Sequence, residues 1–216
     1  MISTQTAMKV CGFLYLFILV TNATGVGLGN RNNETDFDTK LQAISENPTR
    51  YEMSLNISIV SHLAIFAITA MLYQAFSSYN WQYGLIGSAF RLGEGITMIY
   101  SELGVYKLLD LAREYATSEN KESIRALAAK AMEIKNTRVD IGLLFLAIGA
   151  AAYCVLLIQS GAVPTNIAWL GLSAGILSSI GIIIKLFSGF SLLAILGMVM
   201  MMVFEILFGS WLLFRS

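Results

Sequence analysis

From Ile141 to Phe214 the only Asp, Glu, Lys or Arg residues are Lys185 and Glu205. So long a stretch with so little charge cannot form the surface of a water-soluble domain, where about a quarter of residues are charged. It divides into three apolar runs at about 139–158, 167–187 and 192–214, each near the ~20 residues that carry a helix across bilayer hydrocarbon. Three more runs precede them, at about 8–28, 54–76 and 84–104. Six spans take up about 120 of the 216 residues, which leaves little for an independent soluble domain. Composition agrees, with 56% hydrophobic and 13% charged residues. The expected fold class is therefore all-α, a polytopic transmembrane helix bundle of about six spans forming one membrane domain. The expected location is the cell membrane, with the lipid bilayer as partner.

The first run opens with Lys9 and ends in Thr21, Asn22, Ala23 and Thr24, a pattern shared with signal peptides, and it is read as a retained span. Gly25, Gly27 and Gly29 have the wrong spacing for a dinucleotide fingerprint and read as a loosened helix end. Residues 29–53 carry Arg31, Glu34, Asp36, Asp38, Lys40, Glu46, Arg50, Glu52 and Pro48, and are expected to be an extramembrane loop. The uncharged link Ser77–Gln82 is short enough to make spans two and three an antiparallel hairpin. Helical patterning continues from about 84 to 116, about 50 Å at 1.5 Å per residue, so its second half should project past the hydrocarbon. A further helix at about 120–136 places Ile124, Leu127, Ala128, Ala131 and Ile134 on one face, to pack on the long helix or lie on a lipid surface. Residues 105–138 are thus an extramembrane helical segment, with Arg138 and Asp140 marking the next span's boundary and Lys185 snorkelling at the end of the fifth.

Orientation signals conflict. Trp81, Trp169 and Trp211 would share one side with both termini, as an aromatic belt. Lysines and arginines gather on the opposite side, which the positive-inside rule makes cytoplasmic.

Four ionisable residues fall well inside the spans, away from their ends. Arg91 and Glu94 lie three apart on one helix face, which Met98 and Glu102 continue. Glu205 sits midway along the sixth span, and His62 lies on the polar side of the second with Ser54, Ser58, Ser61, Thr69 and Tyr73. Charges near a bilayer centre cost roughly 2.5–3.5 kcal/mol on insertion scales and turn inward to find partners. The expectation is one buried cluster of His62, Arg91, Glu94 and Glu205, hydrogen-bonded by Tyr73 or Tyr100, as a candidate ligand or ion site. The alternative is an Arg91 that snorkels beside a merely neutralising Glu94.

Other chemistries find little support. Cys11 and Cys154 lie in apolar runs, where thiols behave as small hydrophobes. With His62 the single histidine, a bis-histidine haem, a three-histidine zinc site and an HExxH helix are excluded. The chain carries no P-loop, and no cofactor or metal is expected. The formal net charge of zero gives no reason to expect nucleic acid. Met198 and Met202, with Glu205 beyond, make a Cu(I) stripe conceivable, but thioethers in a span more often serve as adaptable packing.

Cys11-Gly12-Phe13-Leu14-Tyr15-Leu16, Phe90-Arg91-Leu92-Gly93-Glu94, Gln159-Ser160-Gly161-Ala162-Val163-Pro164 and Glu205 with Trp211-Leu212-Leu213-Phe214-Arg215 together resemble the family of small membrane proteins named domain of unknown function 4386. The order of these pieces covers nearly the whole chain. The resemblance implies six spans, termini inside, and a recurring second-span acid, third-span arginine and sixth-span glutamate. His62 stands where that acid is expected.

Three functions compete. The expected function is the first, a non-enzymatic scaffold or accessory subunit bound to other membrane subunits or to itself, which fits the short links and the small residues Gly142, Gly149, Ala150, Ala151 and Ala152. A small proton-linked transporter or ligand sensor fits the carboxylates. An intramembrane enzyme ranks last, because no nucleophile or metal set accompanies them.

Overall fold

The computed structural model describes residues 3–29 and 37–215; Arg31, Glu34 and Asp36 of the polar segment lie outside them. Among the described residues the chain forms seven helices and no strand: α1 (Thr4–Gly29), α2 (Phe37–Glu46), α3 (Pro48–Phe76), α4 (Trp81–Thr117), α5 (Lys121–Ser160), α6 (Thr165–Ser188) and α7 (Leu192–Phe214).

Local chemistry sets the boundaries. Pro48 occupies the first turn of α3, where its missing N–H costs nothing. The Asn80 side chain accepts from the amides of Gln82 (3.1 Å) and Tyr83 (3.5 Å) to start α4, and Asn120 accepts from Ser123 (3.3 Å) to start α5. Gly161 (φ 61°) and Gly189 (φ 75°) end α5 and α6 in the left-handed region, which a side chain would strain.

Each helix runs antiparallel to the next, and α7 returns against α1. The result is a closed ring in the order α1, α3, α4, α5, α6, α7. Glycines bring the backbones together at the seams. A Cβ added at Gly12 would stand 2.5 Å from the Leu213 amide nitrogen, and one at Gly197 would stand 2.5 Å from the Ser178 nitrogen. The ring interior is filled by Tyr15, Ile65, Tyr153, Leu157, Phe204 and Phe208. Exposed apolar side chains such as Phe13, Leu63, Ile176, Ile195 and Val199 cover its outside, as lipid requires.

Three expectations are corrected. First, five helices, α1, α3, α5, α6 and α7, are long and apolar enough to cross a membrane, not six. The expected third span lies within α4, whose length suffices, but Arg91, Glu94, Glu102 and Lys107 lower its apolarity. Second, the amphipathic segment 120–136 and the span 139–158 are one 40-residue helix, α5. Asn136, Thr137 and Arg138 suggest a break, yet none is a strong helix breaker and the helical hydrogen bonding continues through them. Third, the polar segment 29–53 is not a loop. It contains α2 and the first turns of α3, whose Leu41, Ile44, Tyr51 and Leu55 join Val105, Leu108, Ala112, Ile124 and Ala128 in a second small core. That core sits where α4 (37 residues) and α5 (40 residues) extend beyond the 24-residue α6, and the ion pair Arg125–Asp38 at 3.2 Å ties α5 to α2 there.

The α1–α7 seam gives a direct test. Gly12→Ala must push two backbones apart and is expected to lower the melting temperature in detergent by roughly 3–10 °C. Gly27→Ala in the same helix meets nothing within 4 Å and should leave it unchanged or slightly raised, since alanine is the better helix former. Equal effects from the two variants would show that the seam does not depend on this close approach.

Candidate functional site

Arg91 is carried by α4, which lies between α3 and α5 in the ring. Its aliphatic stem rests on α5 at Gly149, where an added Cβ would come within 3.1 Å of the Arg91 Cγ. The guanidinium then reaches across the interior to α1, its Cζ lying 5.9 Å from the centroid of the Tyr15 ring. Tyr15 meets Phe208 of α7 edge-on at 5.3 Å, and Phe208 stacks on Phe204 at 5.2 Å. Four helices therefore converge around one cation.

Glu94 lies one turn along α4, its Oε2 2.8 Å from Arg91 Nη1; Arg91 is 3% exposed and Glu94 5%. The contact is a close ion pair without an aligned N–H bond. Glu94 Oε2 and Arg91 Nε both lack a hydrogen-bond partner, although both are buried. Such groups cost free energy unless something satisfies them. Glu205 of α7 is half-buried and lies within electrostatic reach of both Arg91 and Tyr15. On the α5 side the Tyr153 and Ser88 hydroxyls are 2.6 Å apart, and the Tyr153 ring lies against Gly87.

The structure thus brings together three of the four expected residues, Arg91, Glu94 and Glu205, and separates the fourth. His62 Nε2 lies 3.7 Å from Glu102 Oε1, about two turns further along α4 than Glu94, and His62 Nδ1 is buried without a hydrogen bond. The physical reason is the α3–α4 register. Gly95 packs against Phe66 and Tyr106 donates to Asn56 Oδ1 at 2.6 Å, which places residue 62 opposite 102 rather than 91. Tyr73 and Tyr100 are both exposed and take no part; Tyr100 stacks under the Arg138 guanidinium, 3.9 Å from ring centroid to Cζ. Lys185 does not simply snorkel, because its Nζ donates to Asp140 Oδ1 at 2.6 Å across the α5–α6 seam.

Tyr15 and Tyr153 belong to the site and were not expected in it. Each carries a polar tip within an apolar or small-residue run, and that was the available signal. Met201 is buried in the core, whereas Met198 and Met202 line an apolar groove beside Asp140 and Lys185, as packing groups do. Among the described residues no three His, Cys, Asp or Glu side chains converge as metal ligands would.

Removing one partner of a buried pair leaves an uncompensated charge, so Arg91→Met is expected to destabilise the protein by about 3–5 kcal/mol. The double variant Arg91→Met with Glu94→Leu should recover most of that loss in denaturant unfolding in micelles. A double variant no more stable than Arg91→Met alone would show that the two do not act as a unit.

A family model described as Domain of unknown function (DUF4386) matches residues 10–216. No curated protein and no solved structure matches. The match covers all but the first turns of α1 and takes in Arg91, Glu94 and Glu205, and on that basis this multi-pass helical membrane protein belongs to the DUF4386 family.

Proposed function

We propose that this protein is a small proton-linked transporter or sensor of the cell membrane, with Arg91, Glu94 and Glu205 as its working groups. The observation that carries this reading is the charge count at the ring centre. One guanidinium pairs with Glu94 and lies within electrostatic reach of Glu205, in an interior built from Tyr15, Phe204 and Phe208. Fully ionised, the three groups hold one excess negative charge, and an apolar interior relieves such an excess by taking up a proton or a cation. The Arg91 Nε, buried without a hydrogen-bond partner, adds a donor there. Ring closure supports the same reading, since every helix already has two neighbours within its own chain.

The test is proton movement into liposomes that contain the purified protein and an entrapped pH-sensitive dye, driven by a potassium diffusion potential. The wild type should acidify the lumen faster than empty liposomes, and Glu94→Gln with Glu205→Gln should reduce the rate to the empty-liposome level. Flux that survives both substitutions would defeat the proposal.

A second reading, a scaffold or accessory subunit whose charges fix helix register, draws on the backbone-close seams at Gly12 and Gly197. It predicts no flux from wild type or variant, and recovery of a stoichiometric membrane partner in mild detergent.

A further inference from the structure

Away from the ring centre, α4 and α5 enclose a groove of about 490 Å³ on the outer side of their hairpin. Its cations are Lys107 from α4 and Lys130, Lys135 and Arg138 from α5. Its apolar lining includes Leu103, Leu127 and Ile134, each about half exposed. No acidic side chain lines it.

The groove is built rather than incidental at its bilayer end. Arg138 is held in place: its guanidinium stacks on Tyr100 and its Nη1 donates to the Tyr100 carbonyl at 3.4 Å. Gly104 makes this possible, because a Cβ there would stand 2.9 Å from Arg138 Nη1.

Position along the bundle says what the groove meets. The Lys185–Asp140 bond fixes residue 140 of α5 level with the last turn of α6. Both α6 and α7 are long and apolar enough to cross a membrane, which puts the short turn between them, with its exposed Phe187 and Phe190, at the edge of the hydrocarbon on this side. Arg138 lies just beyond that edge, and Lys130 lies eight residues further, about 12 Å at 1.5 Å per residue. The four cations therefore stand at the depth of lipid headgroups, and Leu103 lies on the side facing the hydrocarbon.

We propose that this groove binds an anionic phospholipid. The headgroup phosphate is held among Lys107, Lys130, Lys135 and Arg138, and an acyl chain passes over Leu103 into the bilayer. Cations between helices at this depth suit a phosphate, and apolar side chains beside them suit an attached chain rather than a free ion. The site is separate from Arg91, and the lipid reading stands whether or not protons move there.

The test is native mass spectrometry of the delipidated full chain, titrated with phosphatidylglycerol or phosphatidylcholine. Phosphatidylglycerol should be retained in preference to phosphatidylcholine. The variant Lys107→Gln/Lys130→Gln/Arg138→Gln should weaken its retention by about a hundredfold, the effect expected of three cations at a membrane surface. A control with the same charge change outside the groove, Arg113→Gln/Lys121→Gln/Arg125→Gln, should retain it as the wild type does. Phosphatidylglycerol should also raise the melting temperature of the wild type and the control but not of the groove variant. Equal retention of the two lipids, undiminished retention by the groove variant, or equal loss in the control would each overturn the proposal. Displacement of the lipid by millimolar inorganic phosphate would show a site for a free anion and overturn it too.

Discussion

The bundle is organised by the need to keep Arg91 and Glu94 out of lipid. A helix that carries two charges on one face has only one stable placement in hydrocarbon, with that face against protein. In this structure α3 and α5 flank α4, α1 supplies the Tyr15 ring beneath the guanidinium, and α7 supplies Glu205 and the phenylalanines behind it. The glycines follow from the same need. Gly149 gives the arginine stem room, and Gly12 lets α7 come close enough to α1 to complete the enclosure. Apolar helices could associate in many registers, whereas one cation with carboxylates on two helices narrows the choice.

Much of this was legible in the sequence because hydrophobic runs of span length have few alternative folds. The hairpin links, the long projecting helix and the face shared by Arg91, Glu94, Met98 and Glu102 were readable from residue type and a 3.6-residue period. What escaped was information held between helices. His62 and Arg91 both point inward, but only the packing of Gly95 on Phe66 decides that His62 meets Glu102. Likewise Lys185 looks like a snorkelling end residue until α5 is seen to present Asp140 to it. The uninterrupted α5 was missed for a different reason. A change from polar to apolar surface along one helix resembles a boundary when only composition is read.

The two cores divide the labour of the fold. Within the ring, contacts are small-residue and aromatic, since lipid offers no hydrophobic drive for helices to associate. At the projecting end, Leu41, Ile44, Leu55, Leu108 and Leu111 pack as in a soluble domain, where water supplies that drive. The α4–α5 hairpin belongs to both, and so it links the charged centre rigidly to the surface where the chain leaves the membrane.

Closure of the ring through α1 and α7 has a consequence for biosynthesis. The wall that completes the interior is made from α1 and α7, which lie far apart in the chain, so it cannot exist while the segment before α7 is being synthesised. During that time Arg91 and Glu94 have been made and inserted, but the α7 residues that will enclose them have not. A nascent chain must therefore shelter this helix against α1, α3 and α5, or within the insertion machinery, until Phe204, Glu205 and Phe208 emerge. Truncation anywhere before α7 would leave a charged helix with an open flank.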